Sequence, residues 1–286
     1  MAGPVLVIGA TGKTGKLVID ALRRRGIETR AATRRPAASS GDGSTVAFHW
    51  SDPSGWPAAL KGVEGLYLVK PKHDEPQHAV AAMLAKAPRL RRVVLLSEIL
   101  CETRPADDPH RATELAVQRS GIPWTILRPN WFLQNFTETG FAEALRIRGE
   151  IAMPAGDAAI SWIDTRDVAD AAVTALTSDA HAGEAATLTG PTALSAGALA
   201  HLLGQAAGRP FRHADATLDA TRAQLASTGA SAKLIAFLMG LYADMRAGAI
   251  AFVTDDVQRM TGHAPRTAEA FAVESAALLR DGARAG

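Results

Sequence analysis

The chain of 286 residues is poor in cysteine and tyrosine and has no large excess of either charge. Cys101 is its only cysteine, which excludes an intrachain disulfide and favours a reducing compartment such as the cytoplasm. Lysine and arginine number 31 against 29 acidic residues, a formal net charge of +2. The arginine runs at 23–25 and 89–92 each end an apolar segment, which is typical of solvated faces and not of nucleic-acid binding.

Long hydrophobic runs and a charged leader are also missing. The apolar sequence that starts at Val5 has no charged segment before it, and the late apolar run at 234–241 lies between Lys233 and Asp244. We therefore expect neither a signal peptide nor a membrane span. With 47% hydrophobic and 21% charged residues, the composition is that of an ordinary globular protein.

Short apolar strand patterns alternate with helical patterns through the first half of the chain. Such alternation predicts an α/β fold with a doubly wound parallel sheet of the Rossmann type. The predicted strands are 5–8, 29–33, 45–50, 65–69, 92–96 and 124–127, and the predicted helices are 16–24, 78–86 and 111–119. From about Leu194 the pattern becomes helical, at 195–207, 218–227, 231–247 and 267–279, which predicts a smaller, mostly helical C-terminal lobe. A Ser/Gly/Ala loop is expected at 36–43.

A glycine-rich turn follows the first predicted strand. Gly9, Gly12 and Gly15 are each three residues apart. The first permits a tight turn, the second lets a pyrophosphate approach the backbone, and the third lets the next helix pack on the strand. A P-loop would need glycine where Val7 stands. The turn therefore predicts a dinucleotide site, formed by Gly9, Thr11, Gly12, Lys13, Thr14 and Gly15.

The end of the second strand predicts which dinucleotide is bound. NAD sites usually place Asp or Glu about 20 residues after the turn to hold the ribose 2′-hydroxyl. This chain has Thr33-Arg34-Arg35 there. Guanidinium groups match a 2′-phosphate, so Arg34 and Arg35 predict NADP(H) as cofactor, although arginines solvated on a loop would look the same.

Three segments resemble the NmrA-like group of atypical short-chain dehydrogenase/reductases. They are the glycine turn, Ala31-Ala32-Thr33-Arg34 and the stretch from Ser120 to Phe136, which contains Leu127-Arg128-Pro129-Asn130-Trp131. Phe48 to Pro53 and Thr254 to Val257, followed by Thr261-Gly262, are most similar to the branch related to the ergot-alkaloid reductase EasG. The resemblance implies an NADP(H)-binding Rossmann core at 1–130. It also implies a substrate lobe at 131–286, interleaved with the remaining Rossmann elements at about 150–190.

The resemblance also implies further site residues. Asp52 would lie near the adenine, Val69 and Lys70 would line the adenosine side, and Ser97 would border the nicotinamide together with Pro129, Asn130 and Trp131. Asp52 as a helix cap and Trp131 as a core residue remain open. For the substrate pocket we expect the aromatic residues Phe132, Phe136, Trp162, Phe237 and Tyr242, which core packing would also explain.

The sequence lacks the tyrosine acid of most short-chain dehydrogenases. Those enzymes resemble one another in a Tyr-x-x-x-Lys pair, whereas the expected helix here reads His110-Arg111-Ala112-Thr113-Glu114. Tyr67 lies inside a predicted strand and Tyr242 in a late helix. His110 and Glu114 are one turn apart, so they form either a His–carboxylate pair or unrelated surface positions. The catalytic residues expected are therefore His110 and Ser97.

A missing strong acid indicates which acceptors can be reduced. An iminium, a quinone or another conjugated group accepts hydride without one, whereas a simple ketone generally needs one. We therefore predict an NADPH-dependent reductase of a conjugated small molecule, in secondary metabolism. A non-catalytic NADP(H) sensor, a ketoreductase using His110, and a non-redox cyclase or isomerase remain alternatives. Scattered histidines and the absence of His-Glu-x-x-His or Gly-x-Ser-x-Gly argue against metal and hydrolase chemistry.

Overall fold

The computed structural model describes residues 3–35, 44–71, 75–138 and 140–280. The loop expected at 36–43 lies outside the described residues. Through the first half, the elements are β1 Val5–Ile8, α1 Lys13–Arg24, β2 Thr29–Thr33, β3 Thr45–Ala47, α2 Trp56–Leu60, β4 Gly65–Val69, α3 Pro76–Leu84, β5 Arg92–Leu96, α4 Pro109–Gln118 and β6 Trp124–Pro129. Those that follow are α5 Asn135–Glu138, α6 Gly140–Arg148, β7 Glu150–Ala152, β8 Ala159–Ile160, α7 Thr165–Thr177, β9 Glu184–Leu188, β10 Leu194–Ser195, α8 Ala196–Ala207, β11 Arg212–Ala214, α9 Leu218–Ser227, α10 Ala232–Arg246, α11 Asp256–Thr261 and α12 Ala268–Arg280.

Seven parallel strands form the main sheet in the order β3-β2-β1-β4-β5-β6-β9. The order reverses at β1, whose neighbours are β2 and β4. In open parallel sheets a ligand binds outside the carboxyl ends of the strands at such a reversal. The expected Rossmann-type fold is therefore confirmed, and its reversal point lies where the glycine turn follows β1.

Alternate side chains of the central strands pack on opposite faces of the sheet. Leu6 and Ile8 of β1 and Leu66 and Leu68 of β4 belong to one buried cluster with residues of α2, α3 and α4. The side chains of the intervening residues on the same strands point to the opposite face of the sheet, as a pleated strand requires. Helices α1 and α7 pack against each other, with α1 contacting β1 and β2 and α7 contacting β4, β5 and β6. Helices on both faces explain why the strands have apolar residues throughout.

Strand β3 is shorter than the sequence predicts. It ends at Ala47 and not at Trp50. Three aromatic rings turn the chain here: Phe48 lies 5.1 Å from Trp50 and 6.4 Å from Trp56, centroid to centroid. The Trp56 ring nitrogen also donates to the carbonyl of His49 at 2.9 Å. Packing of these rings replaces further strand pairing, and an apolar–polar pattern alone does not distinguish the two outcomes.

The chain forms two compact units, each made of several segments. Unit 1 comprises 1–129, 165–188 and 256–263, and unit 2 comprises 130–164, 189–255 and 264–286. Helix α11 belongs to unit 1 because Asp256 Oδ2 accepts a hydrogen bond from the amide of Thr187 in edge strand β9 at 2.7 Å. Arg259 then bonds Glu184 of β9 at 2.7 Å. These contacts cover an open sheet edge.

Unit 2 is mainly helical. Helix α12 packs on α8 and α6, and α10 packs on α9. Two small sheets complete the unit, β8 with β10 and β7 with β11. Within the described ranges, no helix combines the length and the apolar character that crossing a bilayer requires.

Candidate active site

The three glycines of the turn after β1 have different neighbours. Gly9 has φ +85°, and a Cβ there would lie 2.7 Å from Val69 Cγ2. A Cβ on Gly15 would lie 2.1 Å from the carbonyl oxygen of Gly9. Gly12 is exposed, and its Cβ would meet only that same oxygen, at 3.1 Å. Gly9 and Gly15 are therefore required by packing within the protein, whereas the open side of Gly12 allows a ligand to approach.

Helix α1 begins at this turn without a side-chain cap. Gly12 is its N-cap residue and offers no side chain to the first-turn amides. Amide groups and the positive end of the helix dipole therefore face the turn, which is the arrangement that binds a pyrophosphate. Thr11 is exposed and Lys13 half-buried. The residues present fit the diphosphate of a dinucleotide.

Tyr67 lies beneath this turn and not at a reacting group. It is fully buried, and its hydroxyl donates to Thr14 Oγ1 at 2.8 Å. Burial raises the pKa of Tyr67. With its oxygen accepting from Tyr67, Thr14 has its own hydroxyl proton to donate, which is what a phosphate oxygen accepts.

The two arginines after β2 are exposed, as an anion site at the carboxyl edge requires. His49 Nε2 contacts the carbonyl oxygen of Arg34 at 2.9 Å and so fixes the backbone there. Among the described residues, the guanidinium groups of Arg34 and Arg35 make no hydrogen bond or ion pair. Both groups are thus directed to solvent, where a ribose phosphate can reach them.

Asp52 acts as a cap. Its Oδ1 accepts from the Ser54 amide at 3.1 Å and from the Ser54 hydroxyl at 2.5 Å, which starts a 3-10 turn at Pro53–Gly55. These two bonds, with the Ser54 hydroxyl first, lower the pKa of Asp52. Oδ2 is the atom through which an adenine or ribose contact would form.

Three charged side chains meet at the carboxyl ends of β4 and β5. Lys70 Nζ contacts Glu98 Oε2, and His110 Nδ1 of α4 lies 2.5 Å from Glu98 Oε1. The exposed fractions of these side chains are 16%, 18% and 22% for Lys70, Glu98 and His110. Burial opposes the ionisation of Glu98, but the Lys70 ammonium and the His110 ring outweigh it and lower the pKa of Glu98 to about 2. Glu98 is therefore a carboxylate with Lys70 on one oxygen and His110 and, at 3.8 Å, Arg104 on the other.

A second buried network ties α4 to β5 and β6. Ser97 Oγ donates to Glu114 Oε1 at 2.7 Å, and Arg128 binds both oxygens of Glu114 at 2.9 and 2.7 Å. Arg111 adds a bond at 2.6 Å. Burial opposes ionisation of Glu114, but the bonds from Arg128 and Ser97 hold its pKa below the usual value. Burial also raises the pKa of the Cys101 thiol to about 12, so the sole cysteine is not a nucleophile.

The structure has neither a pair of His110 with Glu114 nor a surface position for Glu114, the two alternatives that the sequence left open. His110 pairs with Glu98, and Glu114 is fully buried against Ser97 and Arg128. Helical spacing placed the two residues on one side of α4, but the helix turns Glu114 toward the sheet. Glu98 and Arg128 were missed by the sequence reasoning. The signal for Glu98 was its place beside Ser97, directly after a buried strand.

Asn130 directly follows β6 and is buried by its own hydrogen bonds. Its Nδ2 donates to Ser161 Oγ at 2.7 Å and to the Ile250 carbonyl at 2.9 Å, and its Oδ1 accepts from the Trp131 amide at 2.8 Å. The side chain thus fixes the backbone that carries Trp131. The carbonyl of Pro129, which ends β6, accepts from the Ile99 amide at 3.1 Å.

Trp131 forms an aromatic cluster with two other side chains of unit 2, Tyr242 and Trp162. Its ring centroid lies 5.4 Å from that of Tyr242 and 6.4 Å from that of Trp162. Trp162 is 2% exposed and donates its ring N–H to the carbonyl of Leu194 at 2.9 Å. Burial raises the pKa of Tyr242 to about 12. Trp131 is half-buried, so its ring offers an aromatic surface backed by two buried rings.

The predicted phenylalanines differ in burial. Phe136 is fully buried and packs 5.3 Å from Trp162 and 5.6 Å from Phe141, centroid to centroid, as a core residue does. Phe132 pairs with Ile163 through an isolated backbone bridge and is half-buried, as is Phe237 in α10. Phe132 and Phe237 therefore stay predictions for the substrate pocket, whereas Phe136 packs as a core residue.

Among the described residues, one group of three side chains has ligand atoms close enough together to hold a metal ion. Asp167, Asp170 and His263 bring one ligand atom each within 4.8 Å of one another. His263 Nε2 lies 3.3 Å from Asp170 Oδ2, an ion pair when the ring is protonated. The ion pair of His263 with Asp170, which joins segment 256–263 to α7, accounts for this group.

Comparison with known proteins now identifies the family. The model of an NAD(P)H-binding family matches residues 9–179. The chain is 33% identical over 287 residues to an NAD(P)H azoreductase of Xenophilus azovorans, covering 96% of this chain and 99% of the relative. The chain belongs to the NAD(P)H-binding family. It is an oxidoreductase, as predicted, and the prediction of NADP(H) is confirmed at the level of this family, whose members bind NAD(P)H.

Other members are similar over nearly their whole length. A (4-alkanoyl-5-oxo-2,5-dihydrofuran-3-yl)methyl phosphate reductase of Streptomyces griseus is 35% identical, covering 94% of this chain and 100% of the relative. A crystal structure of an NADPH-dependent quinone oxidoreductase from Escherichia coli with NADPH has a TM-score of 0.80 at 24% identity, covering 94% of this chain and 99% of that one. It shows the shared fold. The ergot-alkaloid branch is more distant: an agroclavine dehydrogenase of Claviceps fusiformis is 28% identical over 92% of this chain and 93% of the relative.

Proposed function

We propose that this family member uses NADPH to reduce conjugated, quinone-like or iminium-like small molecules. The observation that carries the proposal is the burial of both tyrosines, Tyr67 and Tyr242. Tyr67 is buried with its hydroxyl on Thr14, and burial raises the pKa of both Tyr67 and Tyr242. Neither phenol is the acidified proton donor that reduction of a simple ketone requires. Relatives named for azo and quinone reduction support the same acceptor class.

The unit 1 residues described above would hold the cofactor. The α1 amides, Thr11, Gly12, Lys13 and Thr14 would bind the diphosphate. Arg34 and Arg35 would bind the 2′-phosphate, and Asp52 and Val69 would border the adenosine. When bound, NADPH supplies hydride. The chain's own residues orient the acceptor and exclude water.

The nicotinamide end would be bordered by residues whose side chains are already engaged. The Ser97 hydroxyl donates to Glu114, and the Asn130 amide is saturated within its own unit. Within unit 1, Ser97 would therefore act by fixing the backbone after β5. Within unit 2, Asn130 would act by fixing the backbone at Trp131, and neither side chain would transfer a proton. The half-buried ring of Trp131 suits a planar conjugated acceptor, which stacks on an aromatic surface.

A panel of acceptors tests this proposal. Purified protein with NADPH is given quinones, azo dyes, conjugated enones and an iminium salt, together with simple aliphatic ketones of similar size. We expect turnover with conjugated acceptors to exceed that with simple ketones by at least ~10²-fold, the range usually supplied by a general acid. Simple ketones reduced at equal rates would contradict the proposal and support a ketoreductase.

We also expect a cytoplasmic protein of secondary metabolism that binds its substrate without a nucleic acid or membrane. The single cysteine, which is buried, suits a reducing compartment. Fractionation of the source cells tests the location, and co-expression with neighbouring biosynthetic genes tests the metabolic role.

A further inference from the structure

Lys70, Glu98 and His110 form a half-buried charge relay at the carboxyl ends of β4 and β5, separate from the buried network that ties α4 to the sheet. Helix α4 is already tied to the sheet by Glu114, which binds Ser97 and Arg128. Partly burying Lys70, Glu98 and His110 as well costs desolvation that packing alone would not require. A second set of partly buried charges at the ligand edge of a parallel sheet is typical of a functional site.

The surroundings of His110 fix one ring nitrogen. Glu98 lies 2.5 Å from Nδ1, and Asp108, the N-cap of α4, accepts from the backbone amide of His110 at 2.9 Å. Arg104 Nη1 lies 3.8 Å from both Glu98 Oε1 and Asp108 Oδ2. Lys70 faces the other oxygen of Glu98. The carboxylate of Glu98 can only accept, so the 2.5 Å contact between Glu98 Oε1 and His110 Nδ1 favours a proton on Nδ1.

We propose that Glu98 is a positioning residue that holds His110 in the Nδ1–H form, so that Nε2 exchanges a proton with the reduced acceptor. This inference rests on the proposed reductase function. Lys70 keeps Glu98 charged while the ring changes its own charge. In this arrangement a carboxylate orients a catalytic imidazole by accepting a hydrogen bond from its other ring nitrogen.

The proton balance is simple for an azo acceptor. The reductant, NADPH, adds hydride to one nitrogen and an electron pair is left on the other. The Nε2–H bond of the His110 imidazolium breaks, an N–H bond forms on that second nitrogen, and the ring becomes neutral with its proton on Nδ1. The ring then recovers a proton from water.

The relay therefore matters most for acceptors that become strong bases. A reduced azo nitrogen holds a localised charge, whereas a hydroquinone anion delocalises its charge over the ring and needs a proton less. Loss of the relay should slow azo reduction far more than quinone reduction. Acceptor range would thus be set by a charge relay and not only by the shape of a pocket.

The test compares Glu98→Gln with the matched control Glu102→Gln. Glu102 carries the same charge and lies 3.2 Å from Arg128, outside the relay. The first readout is the ¹⁵N spectrum of histidine-labelled free protein, in which a His110→Gln variant assigns the ring among the eight histidines. We expect the Nδ1–H form in wild type and in Glu102→Gln, and its loss in Glu98→Gln. An Nε2–H form in wild type would overturn the proposal.

The second readout is kcat with one azo dye and one quinone. We expect Glu98→Gln to lower kcat for the azo dye by ~10²-fold at nearly constant KM, and for the quinone by less than ~10-fold. If Glu98→Gln does not fold, His110→Gln gives the same ratio. An equal fall with both acceptors overturns the proposal. Wild type that shows the Nδ1–H form but reduces neither acceptor would instead refute the proposed function, and the catalytic role with it.

Discussion

Gly12 and Gly15 belong to one turn, but different neighbours require them. A side chain on Gly12 would meet only the Gly9 carbonyl, at 3.1 Å, and would otherwise occupy the open side. Gly12→Val should therefore fold and lose NADPH binding, because its methyl groups fill the space of the pyrophosphate. Circular dichroism and calorimetric titration check the two halves of this prediction.

Gly15→Ala is the contrasting variant. Its Cβ would lie 2.1 Å from the Gly9 oxygen, so we expect a loss of thermal stability before any specific loss of binding. A folded Gly12→Val protein with unchanged NADPH affinity would place the cofactor elsewhere.

Arg34 is expected to make the choice between NADPH and NADH. Its guanidinium is exposed beside the end of β2. One charge-assisted bond to the 2′-phosphate is worth about 1.5–3 kcal/mol, so NADPH should bind at least ~10-fold more tightly than NADH. Arg34→Asp should remove most of this preference, measured by titrating both cofactors. Arg89→Asp, an equal charge change on the exposed loop before β5, should keep it. Equal affinities in wild type would refute the assignment.

The two tyrosines should be dispensable for chemistry. Tyr67→Phe and Tyr242→Phe should each keep kcat within ~10-fold, less than the ~10²–10⁴ of a general acid. Tyr67→Phe should lower the free energy of unfolding by about 1 kcal/mol, because Thr14 loses a buried hydrogen bond. Turnover assays and urea denaturation check both statements. A folded tyrosine variant that binds NADPH but has no turnover would require a tyrosine-dependent mechanism.

At the scale of elements, Glu98 links the ends of β4, β5 and α4, and its charge should make stability depend on pH. Its pKa is lowered to about 2 from 4.5, so its contribution to stability is present above pH 4.5 and is lost as the pH falls toward 2. The shift corresponds to about 3 kcal/mol. Glu98→Gln should therefore be less stable than wild type at pH 7 by about this amount, and the difference should shrink between pH 4.5 and pH 2. Urea denaturation over this range measures it. A constant difference would show that Glu98 acts by packing alone.

The elements themselves were largely predictable. Strands β1, β2, β4 and β5 have the predicted bounds, because their apolar runs end in glycine, charge or a turn. The partner of His110 was not predictable from spacing. Helical periodicity places Glu114 one turn away, but the partner depends on which strand ends are neighbours in the sheet. Glu98 reaches His110 because α4 packs against β5, after which Glu98 lies, and against β6.

At the scale of the whole molecule, the units are assembled from separate segments. The sequence predicts further Rossmann elements at about 150–190, and the structure groups 165–188, which contains α7 and β9, with unit 1. The sequence does not indicate that 256–263 belongs to the same unit as the sheet. This segment contacts unit 1 through the packing of α11 on α7 and through bonds of Asp256 and Arg259 to β9. Such long-range contacts leave no local pattern in the chain.

The most direct measurement of the whole account is the stoichiometry of NADPH oxidation. Wild type and Gly12→Val are incubated without oxygen with NADPH and a limiting quinone, azo dye or conjugated enone, and both reactants are followed by absorbance. We expect one NADPH oxidised per two-electron reduction of the acceptor in wild type and none above background in Gly12→Val. Wild type that binds NADPH but consumes none with any of these acceptors would contradict the account and favour a non-catalytic sensor of the cofactor.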